Sequence, residues 1–253
     1  MLDCFEPFES PLLLISSAKE NLTKLEIACK VFVTDCKYTP FLGFDSKADE
    51  GILKIRLNDR FPGQIRVLGS SIINDLRHAL DQAVCDGAIM LGAPNAKNTY
   101  FPFAKDPADF RVKLKDKCRK VRPDLVDFIQ KFKPYLGGDD LLWALNRIAG
   151  KNKHERIFAI STKNTFHADN INSTGLCKLN FTRWNDRKNE LEIARLGDGG
   201  KAEFKGNLTL EVVIGSADVV GGQPAIEVLN AFLGKAESIV LGIKAESERL
   251  LRV

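Results

Sequence analysis

Apolar residues recur at three- and four-residue steps between Ser10 and about Cys36, at Leu14, Ile15, Ala18, Leu22, Leu25, Ile27, Ala28 and Phe32. That period is helical. Ser10 followed by Pro11 reads as a cap and a first turn. The stretch YTPFLGF interrupts the period with Pro and Gly. In GILKIRL (51–57), Leu53, Ile55 and Leu57 alternate with Lys54 and Arg56. Alternation of this kind predicts a half-buried strand, here paired with 38–45 in a hairpin at about 38–57. After the turn NDRFPG a second long helix is expected from about Gln64 to Ile89. Its apolar stripe is Ile72, Ile73, Leu76, Leu80, Ala83 and Val84. Two helices of such length are expected to lie antiparallel.

The segment 91–105, with Gly92, Pro94 and Pro102, reads as a loop. A short basic helix opens at Asp106–Pro107, another at Pro123, and a longer one is capped by Asp139 and weakened at Gly150. Beyond His154 the pattern changes. RIFAIST, LCKLNFTRW, ELEIARL and NLTLEVVIG read as strands separated by Asn/Asp/Gly turns, with His167 in a loop. A final helix starts near Pro224. The expected fold is therefore α+β. Residues 1–155 would be a helical bundle with the hairpin as an insert, and 156–253 a small antiparallel sheet with a long terminal helix. That last helix either covers the sheet or returns to the bundle.

Composition narrows the classes. The chain of 253 residues is 44% hydrophobic and 28% charged, with a formal charge of +4, which permits contact with nucleic acid without requiring it. No apolar run has the length of a membrane span, so no membrane partner is expected. The acidic start MLDCFEPFES lacks the basic-then-apolar pattern of a secretory signal. The six cysteines are scattered without a C-x-x-C pair, which predicts reduced thiols in the cytoplasm. None of the three histidines sits at ligand spacing from a cysteine, so no metal site is expected. No phosphate loop, nucleophile elbow or H-E-x-x-H occurs, and no cofactor is implied.

The second long helix carries the chemistry of interest. Asn74, Arg77, His78 and Asp81 fall at i, i+3, i+4 and i+7 and share a side, extended by Gln82 and Cys85. Arg77 and Asp81 have ion-pair spacing. One reading is a solvated face or an inter-helix seam. The other gives Arg77 a phosphate or developing anion to hold, with a histidine as acid or base.

The segment NDLRHALDQ resembles the N-L-R-S-A-L-D-H element of a widespread group of uncharacterised bacterial proteins. That group also carries FPI-like, Q-P-Y and N-x-D-K-H-R elements. This chain has YFPFA at 100–104, FKPYLGG at 132–138 and GKNKHER at 150–156, in the same order. The R-x4-H spacing of the group resembles the ribonuclease motif of HEPN-fold proteins. The resemblance implies a helical bundle, often dimeric, that cleaves RNA without metal, with Arg and His paired across a homodimer. This chain departs from the motif, since Gln82 occupies the histidine position and exchanges no proton at neutral pH. Gly150, Asn152 and Glu155 replace the Asn, Asp and Arg of the last element, whereas Lys153 and His154 remain. The resemblance therefore implies an RNA-linked or phage-defence protein whose motif is eroded.

If cleavage survives, Arg77 is the candidate phosphate group and His78 or His154 the proton-transfer group. Asn74, Asp81, Gln82, Arg147 and Lys153 would bind or orient, with Arg147 and His154 as a spare R-x6-H pair. The basic run 111–122 offers Lys113, Lys117, Arg119 and Lys120 as nucleic-acid contacts. Against this stands a regulatory or structural interaction module whose polar stripe is an inter-helix or dimer seam.

Overall fold

The computed structural model describes residues 6–154, 160–175, 177–185, 188–197, 200–215 and 219–252. Three helices of about seven turns dominate: α1 (Glu9–Asp35), α2 (Gly63–Met90) and α6 (Ala225–Leu251). Shorter helices are α3 (Pro107–Lys117), α4 (Pro123–Ile129), followed by a 3-10 turn Gln130–Phe132, and α5 (Asp140–His154). The strands are β1 (Tyr38–Asp45), β2 (Glu50–Leu57), β3 (Ile160–Thr174), β4 (Cys177–Asn185), β5 (Glu190–Leu196) and β6 (Lys201–Ile214). The fold is α+β. Among the described residues no helix is long and apolar enough to cross a membrane.

The chain divides into two compact units. One, helical, holds the described residues up to Ile27, Gly63–Ile160 and Val213 onward; the other holds Ala28–Pro62 and Ser161–Val212. This is a different partition from a break near residue 155. The terminal helix belongs with the helical unit because α6 packs against α2, α4 and α5. The hairpin belongs with the strands because β2 has a second edge to satisfy, and β5 fills it.

In the helical unit, α1 turns Pro11, Ile15, Ala18, Leu22 and Leu25 inward at alternating steps of four and three. Such a spacing forms a narrow seam rather than a broad apolar face. Ile27 falls outside it, at about 200° from Leu25 around the axis, and is 60% exposed, against the expectation for it. Ser10 does not cap α1. The helix begins one residue earlier, where the Glu9 carboxylate accepts the Glu6 N–H at 3.1 Å. Asp106 and Asp139 do cap their helices, accepting the N–H of Asp109 at 2.8 Å and of Leu142 at 3.0 Å. Gly150 does not end α5, which runs on to His154.

Helix α2 packs closely on α6 at Gly87. A Cβ built on Gly87 would lie 2.9 Å from Leu125 Cδ2, 3.0 Å from Ser247 Oγ and 3.3 Å from Ile243 Cγ2. Ser247 is fully buried there, its hydroxyl donating to the Ile243 carbonyl at 2.8 Å.

In the second unit the strand order is β1-β2-β5-β4, each adjacent pair antiparallel, and β3 pairs separately with β6. His167 lies within β3 and not in a loop, because that strand runs through 160–174, further than its apolar residues indicate. Along β5 the partners of Leu53 and Lys54 are Ala194 and Glu192, so Ile193 is an extra residue in the ladder. This bulge lets Ile193 and Ala194 both turn inward, beside Leu53, Ile55 and Leu191. On the opposite face Arg195 meets Asp45 at 3.2 Å, Glu50 at 3.3 Å and Glu192 at 2.7 Å.

Gly87→Val is expected to cost about 1–3 kcal/mol or more by overpacking the α2–α6 contact, read as a fall in the urea midpoint at unchanged slope.

Candidate functional site

The polar residues of α2 do not form one site. At about 100° per residue they fan out to different neighbours. Ser71, Asp75, Gln82 and Asp86 face α1. There Asn21 bonds Ser71 at 3.4 Å, the Ser17 hydroxyl donates to Asp75 at 3.0 Å, and the Ser10 hydroxyl donates to Gln82 at 2.7 Å. Residue numbers rise along α1 as they fall along α2, so the helices run antiparallel as expected. Asp86 completes the row, accepting the N–H of Phe8 at 2.8 Å. Phe8 is buried at a left-handed φ of 69°, and that bond fixes the chain just before α1.

Arg77, Asp81 and Cys85 face a second direction, toward α5 and the 95–104 loop. Arg77 donates from Nη1 to Asp81, and from Nε to Asn146 at 3.0 Å. Its guanidinium lies over the Phe103 ring at 4.4 Å. The other Asp81 oxygen accepts the Phe101 N–H at 2.9 Å, and the Cys85 thiol donates to the Thr99 carbonyl at 3.0 Å. Both side chains of the Arg77–Asp81 pair are under one-fifth exposed. Burial raises the Asp81 carboxyl above its ordinary value, with Arg77 opposing the shift. Burial likewise raises Asp75 and Asp86. The thiols of Cys85 and Cys118 are pushed up by burial to about 11 and about 12, so both are protonated donors at neutral pH and poor nucleophiles.

The remaining candidates are placed differently. His78 is exposed, between the two polar rows of α2. Asn74 is half-buried one turn before Arg77 on the same side of α2, its Oδ1 buried without a hydrogen-bond partner among the described residues. Gln82 points to α1, away from Arg77. Arg147, next to Asn146 in sequence, is exposed, with its guanidinium 5.2 Å over the Trp143 ring. The side chains of Lys153 and His154 lie outside the described residues. Lys113, Lys117 and Lys120 are half-buried and Arg119 is exposed. Among the described residues no cluster of three or more His, Cys, Asp or Glu side chains is placed to hold a metal ion.

Phe103 and Asn146 are the Arg77 partners that the sequence pattern does not single out. Phe103 sits in a Pro-rich loop with no period. Asn146 and Arg147 interrupt the apolar run Leu142, Trp143, Ala144, Leu145, Ile148, Ala149, all buried, and of the two Asn146 is the half-buried one. That interruption was the available signal.

Chemically the arrangement holds helices. A guanidinium with an ion pair, an amide acceptor and an aromatic face around it is positioned by the protein, and binding an anion there means displacing Asp81. Comparison with protein-family models, curated proteins and solved structures finds no match for the chain.

Arg77→Ala is expected to destabilise the helical unit by about 3–5 kcal/mol, because it leaves Asp81 buried without its counter-charge. His78→Ala should stay within about 0.5 kcal/mol of the parent, as an exposed substitution. Chemical denaturation of both variants checks the contrast. The raised Asp86 carboxyl also fixes a sign. A raised acid group costs stability above its folded pKa and none below its unfolded value, so the cost grows as pH rises through that window. Asp86→Asn, which keeps an acceptor for Phe8, removes the cost. The stability of the parent relative to this variant should therefore increase as pH is lowered from 7 to 4.

Proposed function

We propose that the helical unit is a non-catalytic interaction module, and that the polar stripe of α2 is its internal seam. The carrying observation is the enclosure of Arg77 by Asp81, Asn146 and Phe103. Metal-independent RNA cleavage needs a base beside the 2′-hydroxyl and a cation free to hold the phosphate. Arg77 is engaged, and the residue at the R-x4-H spacing is Gln82, which accepts from Ser10 on the α1 side. His78, the nearest histidine in sequence, points to solvent.

Three of the four elements that resemble the bacterial group support the same reading, because they are joined to one another. NDLRHALDQ meets YFPFA through Asp81–Phe101 and Arg77–Phe103. YFPFA meets FKPYLGG where the Ala104 N–H donates to the Pro134 carbonyl at 3.1 Å and where Phe101 approaches Phe132 at 6.2 Å. FKPYLGG leads into α5, whose Asn146 returns to Arg77. A ring of packing contacts closed through α5 accounts for the order of these three elements without a reaction.

Incubation of the full chain with single-stranded RNA, with EDTA present, is expected to give no cleavage above the buffer blank. Cleavage that disappears in folded His78→Ala or His154→Ala chains would overturn this function.

A further inference from the structure

In the second unit, β1 ends its sheet. Among the described residues it is hydrogen-bonded to β2 alone. The ladder shows which of its backbone groups point outward. The Asn58 N–H donates to the Lys37 carbonyl at 2.8 Å, one step before the Tyr38–Leu57 pair. Antiparallel ladders alternate, so Thr39, Phe41, Gly43 and Asp45 bond to β2, while Pro40, Leu42 and Phe44 turn their backbone groups to the open edge. Pro40 has no N–H, and its ring closes that position to a further strand. Leu42 and Phe44 keep both a donor and an acceptor there.

Their side chains share a face of the sheet and are each 67% exposed. Phe44 stands opposite Gly51, which offers it no side chain to pack against. Charged residues ordinarily protect such an edge, and residues 38–44 carry none. Outward N–H and C=O groups on an apolar strand fit an added strand.

The edge is complementary to itself. Turned about a two-fold axis at Gly43, Leu42 meets the partner's Phe44 and Phe44 meets the partner's Leu42. Both are hydrogen-bonded pairs, and their apolar side chains come side by side. Gly43 faces the partner's Gly43 in a non-hydrogen-bonded pair, where Cα atoms come within about 4.5 Å. Pro40 falls opposite the partner's Ser46, in the hairpin turn, so its missing donor lies outside the paired stretch. With Leu42 opposite the partner's Leu42 instead, Phe44 would meet the proline.

Charges fit the same register. On the other face, Asp45 comes opposite the partner's Phe41. In each copy the Arg56 guanidinium lies 4.7 Å over the Phe41 ring, on a side chain 56% exposed. Each Asp45 is thus brought beside the partner's Arg56. Acid is in excess around Asp45, since Asp45, Glu50 and Glu192 share Arg195. Arg56 meets Glu190 through Nε and Nη2, which leaves Nη1 for a second carboxylate.

We propose that β1 is a homodimerisation edge, through which two copies of this chain pair antiparallel along Leu42–Phe44 about a two-fold axis at Gly43. The proposal concerns the second unit, and it stands or falls apart from the non-catalytic reading of the helical unit.

Sedimentation velocity of the full chain from about 5 to about 500 µM tests it, a range suited to an interface this small. The parent should pass from monomer to dimer as concentration rises. Leu42→Lys/Phe44→Lys should raise the dissociation constant at least about tenfold. Its circular dichroism melt should be unchanged, because both side chains are exposed. Gly43→Cys tests the register without adding charge. A Cβ there meets nothing closer than Lys54 Cε at 3.6 Å, and the facing Cα atoms fall within disulfide reach. With copper phenanthroline and oxygen as oxidant, this variant should form a disulfide dimer faster than the parent. It should also outpace Thr39→Cys, which comes opposite the partner's Lys47. Three results each overturn the proposal. One is a parent that stays monomeric throughout, which would leave the edge to a strand of another protein. Another is a dimer indifferent to the double lysine variant, which would place the interface elsewhere. The third is cross-linking of Gly43→Cys no faster than that of the parent or of Thr39→Cys.

Discussion

The helical unit depends on how one long helix, α2, is enclosed on three sides by different chemistry. Toward α6 it offers small and apolar residues, with Gly87 allowing the approach of Ile243 and Ser247. Toward α1 it offers hydroxyl, amide and carboxylate acceptors in a row. Toward α5 and the 95–104 loop it offers one ion pair. Apolar packing alone would tolerate sliding and rotation, since hydrophobic burial is non-directional. The polar sectors are directional, and each bond names one partner. The pairs Ser10–Gln82, Ser17–Asp75 and Asn21–Ser71 fit a single antiparallel register, and a slip of one turn would break all three together.

The buried ion pair has a different character. Taking Arg77 and Asp81 out of water costs free energy that their mutual attraction roughly offsets, so the pair adds little net stability over an apolar substitute. Its consequence is geometric. Asp81 holds the Phe101 backbone and Arg77 holds Asn146 and Phe103, so a loop and a helix distant in sequence are fixed by two adjacent turns of α2. A segment such as 91–105, which has no period of its own, needs such external anchors to adopt one conformation.

Local patterns carry much of this architecture, and long-range partners carry the rest. The hairpin at 38–57, the caps Asp106 and Asp139, and the span of α2 follow from periodicity and turn chemistry, which act within a few residues. The joining of β2 to β5 does not, because it closes a loop of more than one hundred residues and depends on which free edge is nearby. Ile27 belongs to a helical period by its chemistry, yet the seam of α1 repeats at four and three and leaves it outside. The stripe of α2 was legible as polar and shared. Its division among neighbours was not, since a helical wheel gives the angle of each residue and is silent about what stands there. Tyr100 is held to the last turn of α3 by two backbone contacts that no local pattern encodes.

The spacing R-x4-Q shows how far angle alone decides the matter. Arg77 and Gln82 are about 140° apart around α2. For both to serve one phosphate on the same chain, the helix would have to present two faces to one cleft. Here the faces are taken, one by α5 and the loop, the other by α1. A histidine placed at 82 would inherit the Ser10 hydroxyl as its neighbour and would still look away from Arg77. Restoring the motif letter would therefore not restore a site, because the enclosure of α2, and not the identity of one side chain, separates the two groups.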